Sequence, residues 1–500
     1  MQGTIMTNFS WIDGSIVGLY ILATMIAGIA VRKYVGKVEH YLIAGREMNL
    51  YLGIASLAAT EFGIVTCMYT AQSGYVNGFA GATPGILAML AMFFVGLTGF
   101  CVKPLRDAGV ITIPELFELR FGSRIRWAAG VVIVLGGLLN MGVFLRTGGD
   151  FLVVVCGFNP KYLEITMTAL LVFVAVYTIL GGMLSVLVTD FLQFVVMSAG
   201  LLAVTILILV NVGWERLTEA VQVNYGEGGF NPFFHPEMGW EYVIANAMLS
   251  VAMVLTWQTT IQRLLAAKDT KTGRQVYTRT SFFFLSRWLI PATWGIAALA
   301  VLPPEEVGDN TLLAMPMLLS RIVPVGIMGI LVAAMLAADM STDAAYMLSW
   351  SSVIYNDILA PIHKRQWSEK RGILVSRAIV AIIGVFLLFY GLWYPLRGNL
   401  WDYLAVTANI YLSSMVVLLI ACCYWKRANS WGATGAIIFG AAVPIAFLVM
   451  EQLPTTRHFA REVVGPHISN IATYLIAATA MVVGSLLKPK SHTIELKGQE

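Results

Sequence analysis

The sequence predicts an all-α polytopic membrane protein. Of its 500 residues, 58% are hydrophobic and only 12% are charged, whereas about a quarter of the residues in a soluble domain carry charge. Apolar stretches of about 20 residues, the length that crosses the hydrocarbon core of a bilayer, recur along the chain. No cleavable signal peptide is expected, since residues 1–10 contain no basic residue.

Thirteen membrane-spanning helices are predicted from these stretches. Their bounds are 11–31, 50–75, 80–102, 128–157, 162–180, 187–213, 240–262, 280–303, 325–359, 374–395, 399–425, 430–452 and 467–487. Most Lys and Arg residues outside the spans fall in the segments 32–49, 103–127, 263–279, 360–373, 426–427 and 488–500. Because basic loops stay on the cytoplasmic side, the N-terminus is predicted outside and the C-terminus inside, in the cell (plasma or inner) membrane.

The order of the spans predicts a five-plus-five inverted repeat within one transmembrane domain over residues 1–500. Spans two to six (50–213, repeat 1) start inside and spans seven to eleven (240–425, repeat 2) start outside, so the two units have opposite topology, as in inverted-repeat transporters. The rest is a peripheral helix at 11–31, two peripheral helices at 430–487 and a cytoplasmic tail at 488–500. No sequence repeat is visible, so this prediction rests on topology.

Composition and motifs argue against several other classes of protein. The five cysteines lie in or at the ends of apolar spans, so no disulfide framework is expected. No His or Cys cluster has zinc spacing, and no phosphate-binding glycine loop or nucleophile elbow is present. The chain is therefore not expected to be an enzyme. The net charge of +4 points to no nucleic-acid partner, and none is expected, while the oligomeric state stays open.

A polar island interrupts the apolar run from Leu331 to Leu348. Asp339 and Asp343 flank the hydroxyls of Ser341 and Thr342. An ionised carboxylate deep in a bilayer is costly, so such residues usually face a cavity, a partner or an ion. A cation-coupled transport site is the first hypothesis, since hydroxyl oxygens suit a dehydrated alkali cation. The alternative is helix packing, with each hydroxyl bonded to its own backbone.

Two further spans carry polar residues where a helix break is plausible. Span two contains Ala59-Thr-Glu-Phe-Gly63, and span seven contains Thr256-Trp-Gln-Thr-Thr260. Unwound backbone at membrane depth is tolerated where it lines a cavity. The alternative in each case is an intact helix with a polar face toward its neighbours.

Five motifs resemble those of the sodium/solute symporter family. They are Tyr41-Leu-Ile-Ala-Gly-Arg46, Thr112-Ile-Pro-Glu-Leu-Phe-Glu-Leu-Arg-Phe-Gly122, Gly181-Gly-Met-Leu-Ser-Val-Leu-Val-Thr-Asp-Phe-Leu-Gln193, Ile261-Gln-Arg-Leu-Leu-Ala-Ala-Lys-Asp269 and Ala337-Ala-Asp-Met-Ser-Thr342. The resemblance implies the five-plus-five fold of the leucine transporter. It also implies Na⁺ as coupling ion and import of a small polar organic solute by alternating access. A membrane receptor or sensor without an uptake cycle is the rival from another class.

The resemblance also implies a sodium site between spans two and nine. Its ligands are the carbonyls of Ala59, Phe62 and Ala338 and the hydroxyls of Ser341 and Thr342. Asp190 matches an acid of the sixth span that the family links to sodium release or to a second sodium site. The hydroxyls of that second site are replaced here by Ala344 and Ala345, which leaves the site open, with Asp343 as a substitute ligand. The alternative for Asp190 is stabilisation of the start of span six.

Four residues distinguish the expected substrate site from those of other members. Glu61 stands where proline-type members have Asp and sugar-type members Asn, and Trp257 stands where sugar-type members place Asn. Arg146 replaces a tyrosine, and Arg287 lies near a sugar-type lysine.

Together, Glu61 for an amine and Arg146 for a carboxylate predict a zwitterion, with Trp257 stacked on it and with Thr60 and Gln258 nearby. The best guess is therefore an amino acid or related amine. A monocarboxylate or other organic anion is the alternative, and a sugar is less favoured. Arg146 pairing with Asp150 or Glu61, and Arg287 reaching the inner interface, are the structural alternatives.

Overall fold

A computed structural model describes residues 7–34, 36–362, 367–394 and 399–488, and these residues are helical without any β-strand. The first helices are α1 (Trp11–Ala30), α2 (Val38–Ile43), α3 (Leu50–Thr60), α4 (Ile64–Asn77), α5 (Thr83–Thr98), α6 (Val102–Asp107), α7 (Ile113–Phe121), α8 (Ser123–Met141), α9 (Phe144–Cys156), α10 (Leu163–Asn211) and α11 (Trp214–Tyr225). The others are α12 (Gly239–Thr256), α13 (Gln258–Ala266), α14 (Thr270–Val301), α15 (Pro304–Val307), α16 (Ala314–Ile322), α17 (Ile327–Val353), α18 (Ala360–Ile362), α19 (Glu369–Trp393), α20 (Leu400–Tyr424), α21 (Ser430–Gln452) and α22 (Gly465–Leu487).

Eleven helical segments among the described residues are long and apolar enough to cross a membrane. The protein is therefore an all-α, multi-pass membrane protein. The predicted cytoplasmic tail lies outside the described residues beyond Lys488.

Fewer continuous helices than the thirteen predicted spans are present, and two places account for the difference. Helices α4 and α5 continue into each other through a 3₁₀ turn, so that Ile64–Thr98 forms one helical segment. Predicted spans five and six both lie in α10, whose only non-helical residue is Gly182, with φ 56° and ψ −147°. Apolarity alone does not show whether a connection is a loop or a single residue.

Gly182 occupies a backbone conformation that favours glycine, because L side chains rarely adopt positive φ. A Cβ atom at this position would also lie 2.5 Å from the ring of Tyr41. The residue therefore divides α10 into two helical parts and packs them against α2.

Helix α17, which carries the polar island, lies at the centre of the molecule. It packs against α10, α1 and α8, and nearly all of its residues are buried. Its N-terminus is tied to α1, because Oδ1 of Asp13 accepts hydrogen bonds from the amides of Gly326 and Gly329, both at 2.7 Å. The polar residues of α17 are consequently presented to other helices rather than to lipid.

Candidate functional site

The first predicted break is present between α3 and α4. Helix α3 ends at Thr60 and α4 begins at Ile64, so residues 61–63 lie outside both helices. Helix α17 passes directly beside this break: the Ser341 hydroxyl lies 2.8 Å from the carbonyl oxygen of Ala59 and 2.9 Å from that of Ala338. Two helices that are far apart in sequence thus place three oxygen atoms together.

The five predicted sodium ligands are only partly assembled. Ala59, Ala338 and Ser341 converge, whereas the Thr342 hydroxyl donates instead to the Thr60 carbonyl, at 3.1 Å. Phe62 lies in the non-helical segment, with its amide 3.4 Å from the Ala59 carbonyl oxygen. All five residues are buried. Neutral carbonyl and hydroxyl oxygens at a broken helix are a donor set that suits Na⁺.

The second predicted break is also present, at Trp257. This residue is extended (ψ 117°) between the end of α12 and the start of α13. Its indole nitrogen donates to the Tyr346 hydroxyl at 3.0 Å, and its ring stacks on Tyr411 at 5.7 Å between centroids. Trp257 is therefore held rigidly in an aromatic cluster.

Glu61 connects the two breaks and carries a partner that the sequence reasoning did not assign. Its Oε1 accepts from the hydroxyls of Thr260, at 2.8 Å, and Thr259, at 3.2 Å. Its Oε2 lies 3.1 Å from Nη1 of Arg287 on α14. Both side chains of this ion pair are only 3% exposed, so neither charge is screened by bulk water. Arg287 does not reach the inner membrane interface, which corrects that expectation.

Asp190 forms a second buried ion pair beside the first break. Its Oδ2 accepts from the Ser56 hydroxyl at 2.5 Å and lies 3.3 Å from Nη2 of Arg263. The same Nη2 donates to the Thr60 hydroxyl at 2.7 Å. Asp190 is therefore linked through Arg263 and Thr60 to Thr342, and it is not among the oxygens that converge at Ser341.

The structure disagrees with the alternative role given for Asp190 and with the predicted location of Arg263. Asp190 does not lie at a helix N-terminus, since it follows the Gly182 bend by about two turns. Arg263 was assigned to an inner loop, but it lies in α13 and is fully buried. In the sequence, Arg263 is a basic residue at the end of an apolar run, and basic residues of loops have the same pattern.

A cavity lies between the two breaks. Glu61, Arg287, Thr342 and Trp257 line it. Its other walls combine aliphatic side chains, such as Leu249 and Met253, with aromatic and neutral polar ones, which are Thr66, Tyr69, Asn140, Phe144, Tyr346 and Trp401. Thr66, Tyr69 and Tyr346 lie in spans two and nine, which carry polar patterns, whereas Asn140, Phe144 and Trp401 lie in spans four and eleven, where neither a helix break nor a polar island was predicted. No pattern in the sequence of these last two spans identifies their cavity residues.

Three predicted substrate residues do not line this cavity. Arg146 contacts the Gly391 carbonyl at 3.5 Å and makes no ion pair with Asp150 or Glu61. Because Arg146 lies on the side of α9 that faces α19, the predicted Glu61–Arg146 pair for a zwitterion is wrong. Thr60 is engaged by Arg263. Gln258 is buried at the start of α13, where its side-chain amide has no hydrogen-bond partner in the described part of the chain.

The acids of the polar island make no hydrogen bond with Ser341. The Asp339 carboxylate lies against α9, where a Cβ atom on Gly148 would be 3.2 Å from both of its oxygens. Oδ2 of Asp339 and both carboxylate oxygens of Asp343 lack hydrogen-bond partners among the described residues. They are therefore separate from the oxygens that meet at the first break.

Comparison with known proteins identifies the family. The profile of the sodium:solute symporter family matches residues 41–440, which is most of the chain. The chain belongs to the sodium:solute symporter family. It is therefore a transporter and not an enzyme, and sodium is its coupling ion.

Curated relatives of this symporter cover nearly the whole chain at low identity. Sodium/glucose cotransporter 4 of Danio rerio is 26% identical over 97% of this chain and 80% of its own length. A sodium/mannose cotransporter of Bos taurus is 26% identical over 97% of this chain and 88% of its own. A sodium/myo-inositol cotransporter of Canis lupus familiaris is 25% identical over 95% and 73%.

Solved structures show the same fold. A Na⁺-coupled sialic acid symporter in a substrate-bound, outward-open state superposes with a TM-score of 0.82 at 19% identity, covering 98% of this chain and 100% of that one. MhsT in complex with L-phenylalanine superposes less closely, with a TM-score of 0.52 at 13% identity, over 88% and 98%.

Proposed function

We propose that this symporter imports a small polar organic solute, driven by the inward sodium gradient. The observation that carries the proposal is the meeting of Ala59, Ala338 and Ser341 at the first break. A sodium ion held there, with Thr342 turned from the Thr60 carbonyl and Phe62 completing the set, joins α17 to the broken helix. A ligand that contacts both elements biases the conformation in which they are close.

The proposed transport cycle uses thirteen crossings and the five-plus-five inverted repeat. The two helical parts of α10 are two crossings, and α3 with α4 is the broken first helix of repeat 1. Helices α12 and α13 form the corresponding broken helix of repeat 2. The N-terminus lies outside and the C-terminus inside the cell membrane. Sodium favours the outward-open state, and inward release follows rocking of the repeats.

An amino acid or related amine is the first substrate class that we propose. Glu61 and Arg287 supply opposite charges in one dry cavity, which suits a zwitterion. Because Arg287 already neutralises Glu61 and Arg146 lies elsewhere, an organic anion finds no unpaired positive charge there.

An uncharged polyhydroxy compound is the second candidate, and two observations favour it. The cavity is lined by the aromatic rings of Tyr69 and Trp401 and by the neutral polar side chains of Thr66 and Asn140. These side chains can contact a solute that carries no charge. The relatives at about a quarter identity are described as glucose, mannose and myo-inositol cotransporters.

Uptake into proteoliposomes tests the proposal. Purified protein is reconstituted under an imposed Na⁺ gradient and supplied with amino acids, glucose, mannose, myo-inositol and lactate in turn. We expect uptake of one uncharged or zwitterionic class, lost when K⁺ replaces Na⁺. Li⁺ and a proton gradient serve as ion controls. Uptake of lactate alone, or uptake that ignores Na⁺, would contradict the proposal.

A further inference from the structure

Arg287 holds the backbone of the first break as well as the side chain of Glu61. Its Nη1 donates to the main-chain carbonyl of Glu61 at 2.5 Å and to the carboxylate of the same residue at 3.1 Å. The guanidinium lies 4.3 Å from the centroid of the Phe284 ring, and the side chain is 3% exposed. A planar guanidinium fixed in this way has a defined geometry.

The carbonyl that Arg287 holds belongs to the segment that carries the proposed sodium ligands. Glu61 lies between Ala59 and Phe62 in sequence, and the amides of Glu61 and Phe62 donate to the carbonyls of Leu57 and Ala59, as at the end of a helix. The carbonyls of Thr60 and Glu61, in contrast, accept hydrogen bonds from side chains of other helices. Arg287 supplies that contact from α14, and Thr342 supplies it from α17.

Glu61 extends the connection to the second break. Its Oε1 accepts hydrogen bonds from Thr259 and Thr260, in the first turn of α13. One ion pair thus joins the broken helices of both proposed repeats to α14. Arg287 and Glu61 both line the cavity, and Nε of Arg287 has no hydrogen-bond partner in the described part of the chain. A solute in the cavity consequently meets the same two side chains that orient the sodium-binding segment.

We propose that the Glu61–Arg287 ion pair couples the solute to sodium by setting the backbone of the α3–α4 break. The inference rests on the proposed function, because it assumes the sodium site at that break. A solute with a hydrogen-bond acceptor engages the guanidinium and fixes the pair, which orders the carbonyls beside Glu61. Linkage then requires that sodium raise the affinity for the solute by the same factor.

The test measures sodium alone, without any organic solute. Purified full-length protein is titrated with NaCl at constant ionic strength, and the half-saturating Na⁺ concentration is read from thermal stabilisation, since a bound ion stabilises the folded state. The variants are Arg287→Lys, Arg287→Gln and the double variant Glu61→Gln/Arg287→Gln. Arg321→Gln is the matched control, because Arg321 pairs with Glu306 at an exposed site with 46% and 42% of the side chains accessible.

We expect the half-saturating Na⁺ concentration to rise by about ten-fold in the double variant, within the usual range of coupling between two sites. Arg287→Lys keeps the charge but not the fork geometry, so a smaller rise is expected, and the control stays at the wild-type value. Arg287→Gln leaves Glu61 buried without a partner and is prone to misfold. The double variant removes both charges, so no unpaired charge is left buried and its half-saturating Na⁺ concentration can be measured.

An unchanged half-saturating Na⁺ concentration in the double variant or in Arg287→Lys overturns the coupling. A merely structural role would lower the melting temperature without Na⁺ and leave the half-saturating concentration in place. Failure of the proposed function looks different, because wild-type uptake would then be independent of Na⁺. If wild-type uptake requires Na⁺ but the variants keep the wild-type half-saturating Na⁺ concentration, only the coupling role of the ion pair is disproved.

Discussion

At the residue scale, two buried ion pairs lie beside the α3–α4 break. Arg263 pairs with Asp190 and Arg287 pairs with Glu61, and all four side chains are almost completely removed from water. Breaking such a pair from one side leaves an uncompensated charge, at a cost of about 3–5 kcal/mol. Both pairs touch the α3–α4 break, so stability and ion binding depend on the same residues.

The hydroxyl pair of α17 gives the residue-scale prediction. We expect Ser341→Ala combined with Thr342→Ala to abolish Na⁺-dependent uptake. Each lost ligand to a charged group costs about 1.5–3 kcal/mol, so the half-saturating Na⁺ concentration rises by about a hundred-fold or more. Uptake against external Na⁺ in proteoliposomes measures this. Ser352→Ala, in the same helix but bonded to the Ser349 carbonyl, is the control; wild-type sodium dependence in the double variant would remove Ser341 and Thr342 from the site.

At the element scale, α4 and α14 pack with their backbones almost in contact. A Cβ atom on Gly295 would lie 1.8 Å from the carbonyl oxygen of Ala71. Small residues allow membrane helices to approach this closely and to gain van der Waals contact. Since α4 begins at the first break and α14 carries Arg287, the spacing of these helices sets the position of the ion pair.

Enlarging that contact should separate the helices. We expect Gly295→Ala to destabilise the purified protein by about 1–3 kcal/mol, the usual cost of overpacking, and to lower its melting temperature in detergent. Gly18→Ala is the matched control, because no heavy atom lies within 4 Å of the Cβ added in α1. Equal melting temperatures for the two variants would show that the α4–α14 contact tolerates a methyl group.

At the scale of the whole molecule, the distribution of basic residues determines the proposed orientation. Helix α11 follows the predicted outer end of span six, and the start of α14 lies in the predicted inner segment 263–279. All five native cysteines are buried, so cysteines introduced at exposed positions report on their own side of the membrane with little background.

Thiol labelling of intact cells tests this orientation. We expect Glu219→Cys in α11 to react with a membrane-impermeant maleimide, and Lys271→Cys in α14 to react only after permeabilisation, because basic loops remain cytoplasmic. Both positions are exposed. Labelling of the cysteine at position 271 alone in intact cells would mean that the topology is inverted.

The sequence by itself determined the membrane class, the family and the two helix breaks. Each of these depends on local chemistry: apolar length, motifs of consecutive residues, and polar groups that a bilayer does not tolerate without a purpose. Ala59, Ala338 and Ser341 were predicted together because the resemblance to the family implies them as sodium ligands.

Only the tertiary structure decided which charges meet. Glu61 pairs with Arg287 and not with Arg146, and Arg263 is a buried partner of Asp190 rather than a loop residue. A basic side chain near the end of an apolar run has the same sequence pattern whether it extends to the membrane interface or is buried among the helices. The choice depends on where α13 and α14 lie against α3 and α10, and contacts between residues some 70 to 230 positions apart leave no local pattern in the chain.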